Sequence, residues 1–361
     1  MRPPVWLELE PRPLPSPLWR FLAPLSAVAS TALAGLVLFS ALGVDPGRAL
    51  YAFFLAPLTS LWGVSELLVK AAPLALIALG LAPGFRAGVW NIGAEGQLTI
   101  GAVAGGGVLL ALWPLDAPWV LPLALLAGIL GGAAWAWIPA VLRIRRGASE
   151  ILVSLMLTYV AQLLLSALVY GPWRDPEGFN FPQTRLFQVA LPILVDGTRL
   201  HPGVLLAPLL AIFAWLLFRS TLLGLALSVS GRAPAAAAHA GFDRSRIVRA
   251  CLLLAGASAG LAGILEATGP IGQLVPTLTP GYGFTAIIVA FLGRLHPLGI
   301  LPAALVVALA YLGGETAQIE AGLPQAVTGL FQGLLLFFLL ASELLVHRRI
   351  RWRRPAGVGA P

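Results

Sequence analysis

The sequence predicts an all-α protein: a polytopic transmembrane helical bundle of about ten crossings, with eight as the lower bound. Three observations carry that prediction. Hydrophobic residues make up 58% of the 361 residues and charged ones 11%, with a mean hydropathy of +0.89, whereas a soluble domain carries about 25% charged residues. The apolar stretches are continuous and do not alternate, which selects helices over a barrel. Finally, the arginines segregate. With the N-terminus placed inside, 18 arginines fall on the inner side and Arg48, Arg174, Arg185 and Arg199 on the outer, as the positive-inside rule requires for ten crossings with both ends cytoplasmic.

Residues 1–17 read as a loose Pro-rich cytoplasmic tail, and 18–347 as the membrane domain. The first apolar run, 21–44, exceeds the ~7–15 residues of a signal-peptide core, so 18–43 is kept as the first span. An outer connection, 45–60, carries a short helix near 49–55; the second span is 62–82. Within it Glu66 and Lys70 stand at i,i+4 spacing, an arrangement that can pair internally near an interface.

The third span, 89–112, is interrupted at its start. The stretch GFRAGVWNIGAEGQLTIGAVAGGG, 84–107, places Arg86, Trp90, Asn91, Glu95 and Gln97 before or within a glycine-rich apolar segment. Polar groups at membrane depth face a partner, a cavity or a route, and the glycines permit close packing and unwinding. Two readings stand: a discontinuous helix lining a translocation route, or a tightly packed helix whose polar groups satisfy one another.

Spans four and five are 119–142 and 150–170, joined by the basic turn 143–146. Ser154, Thr158 and Gln162 form one polar stripe on the fifth, suited to helix–helix hydrogen bonding or to lining a pore. An outer loop, 171–203, precedes the sixth span, 204–218. A long inner loop, 219–249, leads to the seventh, 250–268. Two short pieces follow, 284–292 and 298–312, separated by Gly293-Arg294-Leu295-His296-Pro297. The first is below the ~20 residues of a full crossing. Their character matches that of 84–107, and paired interruptions suit a transporter built from repeats. The last span is 326–346, and 348–361 is a basic cytoplasmic tail.

Chemistry is absent from the motif inventory. No HExxH pattern occurs, the GxSxG spacing of Gly256-Ala257-Ser258-Ala259-Gly260 falls inside the apolar segment 250–268 and so forms no nucleophile elbow, and the four histidines lie in loops or at helix ends. No metal site and no enzyme activity are expected. Cys251, the single cysteine, excludes an internal disulfide and any cysteine-cluster metal site. The one lysine is followed by Ala71 rather than lying in a GK[ST] motif, so phosphates are not bound by a P-loop here. If ATP powers transport, another polypeptide hydrolyses it, and the chain needs no cofactor of its own. Nucleic acid is not an expected partner, because arginines at helix ends are an orientation signal.

The inner loop contains GRAPAAAAHAGF, 231–242. Pro234 suits a first helical turn, 235–238 favour helix and Gly241 suits a cap. The small side chains fit a short helix that docks into a groove of another protein; an ordinary surface helix fits as well.

The residues Asn91-Ile92-Gly93-Ala94-Glu95-Gly96-Gln97, preceded by 84–88, resemble the hallmark of inner-membrane permeases of ATP-binding cassette importers. The family is the branched-chain amino acid/ribose-type permeases, and the NIGAEGQ form is similar to its nucleoside (simple-sugar-like) branch. Further likeness lies in Ser149-Glu150-Ile151, 156–159, 236–241, 281–284, 290–293 and Pro297-Leu298-Gly299. Departures are Ser149, where the family usually has Asn, and Phe291, in a stretch that usually carries Leu.

The resemblance implies a subunit of the bacterial or archaeal cell membrane. Its partners would be ATP-binding cassette ATPase subunits, a second related permease in a heterodimer, an extracytoplasmic solute-binding protein, and membrane lipids. It makes 231–242 an ATPase-coupling element, with Arg232, Ala235, Ala236, Ala237, His239 and Gly241 as its residues. A bulky side chain at Ala237 or Gly241 is then expected to uncouple hydrolysis from transport. For a nucleoside route, Trp90, Tyr159, Tyr282 and Phe284 are expected to stack on a base, Asn91, Gln97 and Gln162 to bond ribose hydroxyls, and Glu95 to lie on the pathway. The rival is a secondary transporter driven by an ion gradient through Glu95 or Glu266. Sugar or branched-chain amino acid substrates are the alternatives within the family.

Overall fold

A computed structural model describes residues 8–11, 17–278 and 280–351. Expectations for 1–7, 12–16 and 352–361, including Arg2, Arg12, Arg353 and Arg354, lie outside the described residues. The chain forms two compact units: Leu58–Leu312, and Met1–Pro57 together with Gly313–Pro361.

The larger unit runs α3 (Leu61–Arg86), α4 (Ala94–Ala111), α5 (Val120–Arg146), α6 (Glu150–Tyr170), α7 (Leu206–Ser220), α8 (Leu222–Arg232), α9 (Pro234–His239), α10 (Arg244–Glu266), α11 (Tyr282–Leu292) and most of α12 (Pro297–Ala321). Helix α3 is apolar all round and buried almost throughout, as expected of a helix enclosed by others rather than facing lipid on one side. Helices α5, α6 and α7 are equally apolar but bury only a stripe. Their outer leucines and aromatics suit acyl chains.

Helix α10 packs on α3, α4 and α5 at the centre of this unit. Lipid is as apolar as leucine, so association rests on close approach of backbones. A Cβ on Gly101 would fall 2.2 Å from the Gly260 Cα, so the α4–α10 crossing admits no side chain there. Beyond α10 a π-turn, Ala267–Ile271, carries the chain outward. There the outer loop 171–203 docks on it through Thr184 N to Leu274 O (3.1 Å), Phe187 N to Gly272 O (2.8 Å) and Leu191 N to Thr268 O (3.1 Å).

The smaller unit contains α1 (Pro17–Ala41), α2 (Pro46–Phe54), the end of α12 and α13 (Gln325–His347). Asp45 caps α2 by accepting from Gly47 N at 2.8 Å and Arg48 N at 3.3 Å. Helices α1 and α13 pack together through Phe39 and Phe331, whose ring centroids are 5.1 Å apart, and Phe53 meets Phe331 edge-on at 4.6 Å. Two short strands, β1 (Glu8–Pro11) and β2 (Arg348–Arg351), pair antiparallel with Leu9 opposite Ile350. Arg349 Nε donates to Glu10 Oε2 at 2.8 Å.

Among the described residues, eight helices are long and apolar enough to cross a membrane. Helix α1 has 25 residues, and α11, at 11, is short, as expected of the first piece after 283. The multi-pass helical bundle and its count of eight to ten therefore stand.

Three local expectations are corrected. The inner loop 219–249 is largely helical: α8 fills 222–232 and α10 begins at Arg244, where Asp243 accepts from Ser245 N at 2.8 Å. Helix α12 runs past 312 to Ala321, since its polar end, GETAQIEA, is rich in helix formers although poor in hydropathy. The described part of the N-terminal tail, expected loose, pairs as β1 with β2 of the basic C-terminal tail, where Glu10 offsets part of the arginine charge. In addition, the carboxylate of Glu66 is held by Arg199 Nε (2.9 Å) and Arg199 Nη2 from the outer loop, a partner to which helix spacing does not point.

Candidate functional site: two helix interruptions that meet

Helix α3 stops because Gly88 adopts φ +70°. Gly88 N then bonds Phe85 O at 3.3 Å and Val89 N bonds Gly84 O at 2.8 Å. This is the paired closure of a left-handed helix cap. The next residues, 90–93, are non-helical until α4 begins at Ala94.

Unwound backbone inside a membrane needs internal partners, and the side chains here supply them. Asn91 Nδ2 donates to Gln97 Oε1 at 2.8 Å, and Gln97 Nε2 donates back to Asn91 Oδ1 at 3.2 Å. Asn91 Oδ1 also accepts from Gly93 N at 3.0 Å. From α6, Ser154 Oγ accepts from Ile92 N at 3.2 Å and donates to Ile151 O. Thr158 bonds its own helix, to Ser154 O at 3.2 Å. Asn91 and Gln97 are 3% and 1% exposed. Their amides are spent on each other and on the turn.

Glu95 lies in the first turn of α4, and its Oε2 accepts from Gly283 N at 2.5 Å. Gly283 is in the first turn of α11, whose cap residue, Gly281, supplies no side-chain bond. One carboxylate therefore serves the N-termini of two helices, where partial positive charge favours an anion. The approach is so close that a Cβ on Gly283 would lie 2.2 Å from the Glu95 nitrogen. Next to it, Tyr282 is 2% exposed and meets Tyr311 edge-on at 5.6 Å, while Thr285 Oγ1 and the Tyr311 hydroxyl are 2.7 Å apart.

The second interruption, between α11 and α12, abuts the first through aromatic rings. Phe85 and Phe291 stack at 5.1 Å, and Trp90 lies on Phe291 at 5.8 Å. Phe284 and Phe291 share one face of α11, being seven residues apart. Trp90 is 40% exposed and Phe284 36%. The turn 293–296 closes with Arg294 N to Phe291 O and Leu295 N to Ala290 O, both 2.8 Å. Burial first, and then the charge of Arg86, hold His296 below the ordinary histidine pKa.

The expected pathway residues thus fall into separate groups. Asn91, Glu95, Gln97 and Tyr282 form a buried frame; Trp90 and Phe284 are exposed beside it. Tyr159 sits on the exposed side of α6 with Met156, Val160 and Leu163, opposite the Ser154–Thr158 face, and Gln162 is half-buried between the two sides. Phe85 and Phe291 were not chosen from the sequence. The seven-residue spacing of Phe284 and Phe291 was the available signal.

On the inner loop, α9 starts with Pro234 and ends with Gly241 at φ +83°, closed by Gly241 N to Ala238 O (3.1 Å) and Phe242 N to Ala237 O (3.0 Å). Arg232, Ala235, Ala236, His239 and Gly241 are exposed, and His239 Nδ1 is 2.8 Å from Ala235 O. Ala237 is buried, so a bulky residue there displaces α9 itself, and any side chain at Gly241 is strained by its φ. Neither substitution isolates a docking contact.

The family model described as "Branched-chain amino acid transport system / permease component" matches residues 63–340. The chain is 38% identical over 359 residues to the glucose ABC transporter permease protein TsgB13 of Haloferax volcanii, covering 96% of this chain and 94% of that one. It is 29% identical to the guanosine ABC transporter permease protein NupP of Bacillus subtilis, over 89% of this chain and 93% of the relative. A second guanosine permease of that organism, NupQ, is 32% identical over 67% of this chain and 78% of its own length. No solved structure matches the chain.

Proposed function

From the premise that this chain belongs to the family of branched-chain amino acid transport system permease components, we propose that it moves a sugar-bearing solute, a nucleoside or a free simple sugar, into the cell. It is a permease subunit of an ATP-binding cassette importer. The observation that carries the substrate class is that full-length likeness runs to a glucose permease and to guanosine permeases alike. Glucose is the sharper candidate by identity, 38% against 29%.

The partners follow from the same reading. ATPase subunits supply the hydrolysis that this chain has no P-loop to perform, and a solute-binding protein delivers substrate from outside. One organism has both NupP and NupQ, which supports pairing with a second, different permease. The exposed small residues of α9, with Arg232 and His239 beside them, form the contact to the ATPase. The β1–β2 pairing and the arginine distribution together support the reading that both tails lie on the cytoplasmic side. The route runs past the aromatic rings of Trp90 and Phe284, with the Asn91–Gln97 and Glu95–Gly283 contacts as its frame. A rocking of α11 against α4 about that frame would open it to either side.

Deletion of the gene in a strain with no other uptake route, with labelled guanosine and labelled glucose measured side by side, tests the reading. Loss of either is expected; retention of both refutes it. Ala236→Trp, on the exposed side of α9, should leave ATP hydrolysis running while uptake falls about tenfold or more, a coupling loss of about 1.4 kcal/mol.

A further inference from the structure

A second feature of the larger unit starts beside the interruptions, at the end of α3, and runs along the helices from there. A groove of about 230 Å³ runs between α3, α7 and α10, lined by Leu79, Pro83, Phe213, Leu217 and Leu254, with the Ser258 hydroxyl among its few polar atoms. These helices are long enough to span the bilayer, so the groove lies at the depth of acyl chains. Its inner end is marked by Phe218, and over that ring, 5.3 Å from its centroid, sits the Arg86 guanidinium.

Arg86 is half-buried, and neither it nor Arg232 has an ion-pair partner among the described residues. Arg86 ends α3 and Arg232 ends α8, which brings two like charges to adjoining helix ends. Their proximity is built in, because the Gly231 backbone packs directly against the Arg86 carbonyl. Burial, and then the charge of Arg86, lower the pKa of His296 beside them. Two like charges with no carboxylate between them, closing the cytoplasmic end of an apolar groove, match one kind of molecule: an apolar chain carrying an anion at its inner end.

We propose that this groove is a binding site for an anionic phospholipid of the inner leaflet, one acyl chain lying along α3, α7 and α10 and the phosphate held by Arg86 and Arg232. A free phosphate has no use for the apolar wall, and an acidic peptide has no chain to place at membrane depth. Bound there, the lipid would neutralise the repulsion between the end of α3 and the end of α8.

The test is native mass spectrometry of the purified full chain with phosphatidylglycerol and phosphatidylcholine of identical acyl chains in equal amounts. The wild type should retain phosphatidylglycerol over phosphatidylcholine by about fivefold or more. Arg86→Gln, and Arg232→Gln at an exposed position that the proposed function also sets beside the ATPase contact, should each cut that preference toward unity. Ala257→Phe, which fills the groove wall, should lower retention of both lipids and leave the preference in place. Equal retention by the wild type overturns the proposal, as does a preference that survives both arginine changes. Loss of co-purifying ATPase subunits in the arginine variants with lipid preference intact also overturns it, since an acidic protein contact would then own these charges. Should Arg86→Gln fail to fold, Arg232→Gln and Ala257→Phe decide the matter between them.

Discussion

The break between α3 and α4 and the break between α11 and α12 end their leading helix in the same way, then part company. Both use a left-handed residue with two closing backbone bonds, but Gly88 fills that position in the first, and Arg294, followed by Leu295 at φ +54°, fills it in the second. After the stop, the first chain runs non-helical through 90–93 and depends on Asn91, Gln97 and Ser154 for partners; the second restarts at once on Pro297. The difference follows from length. A break of a few backbone groups deep in the membrane demands side-chain amides, whereas a tight turn closes on its own carbonyls. Only the first break therefore carries buried polar side chains, and its frame is the more exposed to damage by mutation.

The comparison can be broken most forcefully where the two breaks touch. Gly283→Val drives a side chain into the Glu95 backbone and should remove most of the folded, monodisperse protein from detergent, a cost of about 3 kcal/mol or more. Size-exclusion chromatography and thermal melting read it. Near-normal melting would mean that α11 and α4 can part without loss.

A smaller effect probes the amide pair. Asn91→Ala leaves the Gln97 amide buried without its partner, and should cost about 1–3 kcal/mol in a melting assay. Asn91→Leu with Gln97→Leu removes both groups and should recover part of that loss, less the bond to Gly93 N. A double variant no better than the sum of its parts would show that the amides act separately.

The smallest effect distinguishes the two caps directly. Gly88→Ala should destabilise by about 1 kcal/mol, because its φ disfavours a Cβ, while Arg294→Gly should be neutral or gain up to about 1 kcal/mol by relieving the same conformation. A loss at Arg294→Gly would assign that side chain a contact that outweighs its backbone.

Much of this was legible in the chain. Polar residues amid glycines at 84–107 announced an interrupted helix, and Pro234 with Gly241 bounded α9, because proline and glycine act through local geometry that sequence reports directly. The carboxylate of Glu95 was singled out, but its partner, Gly283 N, was not. A backbone donor has no signature in sequence, and it lies 188 positions away. Arg199 reaching Glu66 across 133 positions was hidden for the same reason. Helix α8 and the end of α12 escaped because short or polar helices lack the hydropathy that marks a span.

The Phe39–Phe53–Phe331 cluster has a consequence for biogenesis. A ribosome releases Phe39 and must add 292 further residues before Phe331 exists, which at bacterial elongation speeds takes roughly 15–60 s. Throughout that interval α1 and α2 wait in the bilayer with their aromatic faces uncovered, and any insertase or neighbouring subunit that shields them would act then. Helices α1 and α2 are thus locked only once α13 has been made.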